Sequence, residues 1–163
     1  MSLQAWQKNG WLRPHESSPA EVAGLLAVIA RDLKTSGDKQ LDADWRFAIA
    51  YTAALQCAAV CLHAAGFEVP KGGGAHQRTI ESLRLTLGDD GTIVDMLQAF
   101  RAKRGGGIYE TTGVASRGEI EELHALAGRL QSRVREWLAT HHPEFAGPGA
   151  KAGKRKPAKG LDE

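Results

Sequence analysis

DADWRFAIAYTAALQCAAVCLHAAG, residues 42–66, is the stretch on which the fold turns. Asp42 or Asp44 is of the type that caps a helix start, and Gly66 suits the left-handed position just past a helix end. No proline interrupts the run, and alanine recurs through it, so the stretch predicts one helix reaching Ala65. Trp45, Ala48, Ile49, Thr52, Leu55, Ala59 and Leu62 fall on one face. Phe47, Tyr51, Ala54, Ala58 and Cys61 fall on another. A helix apolar on most sides is a central helix enclosed by its neighbours, and the small alanines let those neighbours come close.

The flanking segments supply the neighbours. Ser17 or Ser18, followed by Pro19 and Glu21, signals a helix start, and Val22, Leu25, Leu26, Ile29 and Leu33 carry an amphipathic period to about Lys34. Beyond Pro70 and the glycines at 72–74, Ile80, Leu83 and Leu87 mark a third helix from Ala75 to Leu87. Thr92 offers a cap for a fourth, whose Ile93, Val94, Met96, Leu97 and Phe100 face inward as far as about Lys103. Ser116 and Glu119 have the spacing of a capping box, and Ile120, Leu123, Ala127, Leu130, Val134 and Trp137 then follow as a bundle seam. No strand pattern competes. The expected fold is all-α: an up-down antiparallel bundle of four to five helices over 19–145, with an N-terminal arm over 1–18 and a disordered basic tail over 146–163.

Charge is distributed unevenly over the 163 residues. Lys151, Lys154, Arg155, Lys156 and Lys159 stand in the tail against Asp162 and Glu163. Without them the totals of 21 basic and 19 acidic residues fall to 16 and 17, so the basic isoelectric point near 8.6 belongs to the tail. A nucleic-acid site on the body therefore needs a local basic patch. No run of 18 apolar residues and no basic segment leading into an apolar one stands out, so the expectation is a cytoplasmic protein with no membrane partner. Cys57 and Cys61, one turn apart, read as two small buried residues rather than a disulfide or half a metal site. No cofactor or metal is expected.

The residues able to carry chemistry lie in three places. Arg101, Lys103 and Arg104 end the fourth helix ahead of Gly105-Gly106-Gly107-Ile108-Tyr109-Glu110. The helix dipole by itself favours cations there, with the glycines as a stop signal. Read more sharply, Arg104 offers a fork for phosphate, bare glycine backbone permits close approach, and Tyr109 can bond a phosphate or stack on a base. Lys71-Gly-Gly-Gly-Ala-His76 opens the third helix and brings His76 and Arg78, but it lacks the ending of a phosphate-binding P-loop and follows no strand. Arg46 and Tyr51 are polar groups on the apolar central helix. His63 and His124 stand singly and read as packing or surface residues, and His141-His142 before proline is a weak metal signal.

The run from Arg46 to Leu55, Ala65-Gly66-Phe67, the Gly74-Ala75-His76 start with Ile80 to Leu83, and the phrase Phe100-Arg101-Ala102-Lys103-Arg104 with Tyr109-Glu110 together resemble HEPN domains. The likeness spans about 42–137, and it rests on the order and spacing of the motifs. It implies a helical bundle that often forms a homodimer, with a polar cleft at the subunit interface. Many HEPN proteins are metal-independent ribonucleases, often toxins paired with a nucleotidyltransferase antitoxin. In their motif an arginine and a polar residue precede a histidine. Arg104 takes the arginine position, Gly105 stands where a polar residue is usual, and Tyr109, Glu110 and Thr111 cover the histidine spacings without supplying one.

Tyrosine is a poor base near neutral pH, so cleavage would need His76 to supply the imidazole. The resemblance thus implies binding of RNA or a nucleotide through Arg104 and Tyr109, assisted by Arg101, Lys103, Arg78 and His76. The alternatives are a ribonuclease acting through Arg104, Tyr109 and His76, and a protein-interaction module.

Overall fold

The computed structural model describes residues 1–89, 91–105 and 115–147. The chain folds as a helical bundle around α3, Ala43–Ala64, the helix expected at its centre. Asp42 caps α3 by accepting from the Asp44 amide, and Gly66 follows its end at φ +96°. The faces of α3 are closed by α2 (Pro19–Ser36), α4 (Ala75–Glu81), α5 (Leu83–Thr86), α6 (Thr92–Gly105) and α7 (Arg117–His141). By length and composition α3 is apolar enough to cross a membrane, yet 61% of its most apolar window is buried within the protein, as befits a core helix. Ala50, Ala53, Ala54 and Ala58 have no exposed surface, which is where the neighbouring helices approach.

The caps are largely those read from the sequence. Ser18 accepts from the Glu21 amide with Pro19 opening α2, and Ser116 with Glu119 forms the reciprocal capping box of α7. α2 lies antiparallel to α3, because Glu21 at its start meets His63 and the Ser36 carbonyl at its end meets Arg46. α6 lies antiparallel to α7: Lys103 pairs with Glu119, while Asp89, just ahead of α6, meets Arg133.

Several details depart from expectation. The third helix breaks at Ser82 into α4 and α5. The buried Ser82 hydroxyl donates to the Thr79 carbonyl, and such back-bonding bends a helix. Asp89, buried at the start of α6, was not anticipated: its carboxylate accepts from the amides of Gly91, Ile93 and Val94. Trp45, expected to face inward, is 63% exposed.

A two-residue antiparallel pair also forms where no strand was expected. β1 (Arg13–Pro14) pairs with β2 (Phe67–Glu68), and the His15 amide extends the pairing to the Gly66 carbonyl. The N-terminal arm contains α1 (Leu3–Lys8), and its Trp6 joins Leu12 and Leu62 in a second small core beside the main one. Ala146, placed in the tail by the sequence, is buried against the bundle; the remainder of the expected tail, from 148 on, lies outside the described residues.

Candidate functional site

Three helices bring polar groups together at Tyr51. Its side chain is buried on α3, with 1% of its surface exposed. One turn earlier, Phe47 packs edge-on against Phe100 of α6 with ring centroids 6.0 Å apart. One turn beyond Phe100, Arg104 reaches over the face of Tyr51, its Cζ 5.3 Å from the ring centroid. A guanidinium in that position is attracted by the electron-rich ring face. From the other side, α4 begins at Gly74, whose φ of +82° turns the chain into the helix and sets His76 in the first turn. The Tyr51 hydroxyl then lies 3.4 Å from His76 Nδ1, a long contact for a hydrogen bond.

The electrostatics of these groups are coupled. Burial pushes the Tyr51 phenol above its ordinary value, and the charges of Arg104 and Arg101 pull it part of the way back. His76 keeps access to solvent. Desolvation of its ring, reinforced by Arg104 and then Arg101, holds its pKa below the ordinary histidine value. The site therefore offers a neutral imidazole beside two guanidiniums at neutral pH. Guanidiniums are suited to phosphate oxygens, and a neutral imidazole can accept a proton.

Of the residues chosen from the sequence, Arg104, Arg101 and His76 share this site. Tyr109 lies outside the described residues, as do Glu110 and Thr111. Among the described residues, the phenol in contact with Arg104 and His76 is that of Tyr51. Arg101 donates from Nε to Gln98 at 2.7 Å, and Gln98 in turn reaches the Gln77 carbonyl of α4.

Two expected phosphate ligands are directed elsewhere. Lys103 pairs with Glu119 of α7 at 3.1 Å, since the residue before Arg104 projects about 100° away around the helix. Arg78, two positions from His76 and so on a different face of α4, lies over Trp11 at 5.7 Å from the ring centroid and contacts the Gly73 carbonyl. It lines a small groove with Trp6, Gln77 and Glu81, not the Tyr51 site.

The other polar residues of the core are structural. Arg46 is buried and donates to the Ser36 carbonyl at 2.7 Å and to Glu121 at 3.0 Å. His124 meets the Ser36 hydroxyl at 2.8 Å, so both residues brace the same corner of the bundle. Cys57 and Cys61 are free and buried, and burial pushes the Cys57 thiol up to about 12. His142 packs at a tilt against Trp137 with ring centroids 4.7 Å apart. The sequence reading missed Tyr51 as the partner of Arg104; its one available signal was a phenol on an otherwise apolar helix. It also missed a cluster at the far end of α3, where His63 meets His15 and Glu21. Comparison with protein-family models, curated proteins and solved structures returned no match for this chain.

Proposed function

We propose that this chain is a HEPN-like helical protein that binds nucleic acid or a nucleotide through Arg104, Arg101 and His76 around Tyr51. One observation carries the reading: Arg104 lies over the buried Tyr51 ring, whose hydroxyl meets His76. A guanidinium positioned against a fixed aromatic face loses less freedom when it engages a phosphate. Arg101, one turn earlier, adds a second positive charge to the same field. The resemblance in sequence supports the same reading, and with it a homodimer and a nucleotidyltransferase-type partner in a toxin–antitoxin or defence setting.

The test is binding of a labelled single-stranded RNA across a salt series. It compares the full chain with a variant whose five tail cations are replaced by glutamine, because those could bind RNA nonspecifically. Binding that survives the tail replacement, weakens with salt and falls about tenfold or more in Arg104→Ala supports the reading. No binding once the tail is neutralised overturns it and leaves a protein-interaction module.

A second reading has an observation of its own. His76 is solvent-accessible and held neutral, the state a general base for the RNA 2′-hydroxyl requires. Cleavage of the same RNA without added metal, lost in both His76→Ala and Arg104→Ala, would establish a ribonuclease.

A further inference from the structure

At the end of α3 remote from the Arg104 site, four segments converge on one small volume. The β1–β2 pair and the bond from the His15 amide to the Gly66 carbonyl fix the backbone at His15. Ser18 fixes the start of α2 and hence Glu21, while the Ser17 hydroxyl donates to the carbonyl of His63 in the last turn of α3. Glu21 Oε2 stands between two imidazoles, 2.7 Å from His15 Nε2 and 3.4 Å from His63 Nδ1. One ligand atom from each of the three residues lies within 4.8 Å of the other two, the one such group among the described residues. Twelve residues of helix separate His63 from Tyr51, roughly 18 Å along α3, so this cluster is independent of the phosphate site.

Two observations go beyond proximity. His63 Nδ1 is sealed from solvent and makes no hydrogen bond, because its approach to Glu21 lacks the geometry of one. A buried ring nitrogen left without a partner is the atom an ion would satisfy. The other nitrogen of His15, Nδ1, lies 3.5 Å from Glu68 Oε1, and Glu68 is itself held by Arg13 Nε at 2.6 Å. A histidine whose outer nitrogen faces a fixed carboxylate is the arrangement that orients imidazole ligands toward a metal.

We propose that His15 Nε2, His63 Nδ1 and Glu21 Oε2 bind one divalent first-row transition-metal ion of the zinc class, with Glu68 as the positioning residue for His15. Two imidazoles and a carboxylate form a donor set suited to such ions and unsuited to calcium or magnesium. Bonds of about 2.0–2.1 Å in tetrahedral geometry separate neighbouring donors by roughly 3.3 Å. The His63–Glu21 distance already has that value, and Glu21 has to retreat from His15 by less than about 1 Å. His15 and His63 border a surface cavity of about 450 Å³ with Ser17 and Glu144, from which water would complete the shell.

The experiment titrates the chelator-treated full chain with Co²⁺, following the visible absorption that distinguishes four- or five-coordinate cobalt from the weakly coloured aqua ion, and then displaces it with Zn²⁺. One ion per chain is expected, lost in His15→Gln and His63→Gln, unchanged in a His141→Gln/His142→Gln variant, and weakened about 10–100-fold in Glu68→Gln. Far-UV circular dichroism checks that each variant is folded. Histidine ring resonances of the unmutated chain give a reading independent of mutation: Zn²⁺ should shift His15 and His63 and leave His124 in place. Aqua-ion absorption alone, binding that survives His63→Gln, or unmoved His15 and His63 resonances would overturn the proposal and leave a polar contact between α2 and α3.

Discussion

A terminal nitrogen of Arg46 lies 3.0 Å from Oε2 of Glu121, and through that contact the start of the central helix is fastened to the start of α7. The same guanidinium donates to the carbonyl of Ser36, which has no exposed surface. Arg46→Met keeps the stem and removes the donors, leaving that carbonyl buried without its partner. The expected loss is about 1–3 kcal/mol in urea unfolding. An unchanged midpoint would mean that water takes over the bond.

The pair also has a pH signature. The hydrogen bond from Arg46 holds the Glu121 carboxyl below the usual carboxylate range. A folded-state value below the unfolded one stabilises the protein above the unfolded value, about 4.3 for glutamate, and that stabilisation disappears as pH falls through the folded value. Glu121→Gln should therefore lower the unfolding midpoint at pH 7. Its difference from the unmutated chain should shrink as pH falls through the folded value.

Asp89 gathers three amides at the start of α6 and touches Arg133 at 3.3 Å. Replacing a capping carboxylate by alanine costs about 1–2 kcal/mol, and the burial of this one places it at the upper end. Arg133→Gln should cost less than about 1 kcal/mol, since that guanidinium is half-exposed. Thermal unfolding of the two variants tests the order. A larger loss in Arg133→Gln would show that the ion pair, rather than the cap, anchors α6.

His76 offers a direct test of the Arg104 site in solution. Its ring proton resonances should titrate with a midpoint below the ordinary histidine value, because partial desolvation and the charges of Arg104 and Arg101 oppose a further positive charge. Removing one of those charges with Arg104→Gln makes protonation easier and must move the midpoint upward. A midpoint indifferent to the substitution would separate the two side chains.

The sequence disclosed most of what is local. The caps at Ser18, Asp42 and Ser116 and the stop at Gly66 lie within a turn of the residues they serve, and their spacing announces them. The break at Ser82 stayed hidden because it depends on a buried hydroxyl turning back to the Thr79 carbonyl, in a stretch whose apolar period is continuous. The candidate site was half legible. Arg104 and His76 were chosen for their chemistry, but Tyr51 is 53 positions from Arg104, and only tertiary packing shows that the two meet. His63 read as a lone histidine for the same reason: its neighbours His15 and Glu21 are more than 40 positions away in the chain.

Cys57 and Cys61 make α3 its own timekeeper. Both thiols are fully enclosed, and burial pushes the Cys57 thiol up to about 12, so an alkylating reagent finds neither nucleophile while the helix is packed. Mass increments from a thiol-trapping reagent would then count excursions in which the interior opens, slowing roughly tenfold for each 1.4 kcal/mol of protection. The native chain thus carries an unlabelled gauge of its own integrity, requiring no engineered probe.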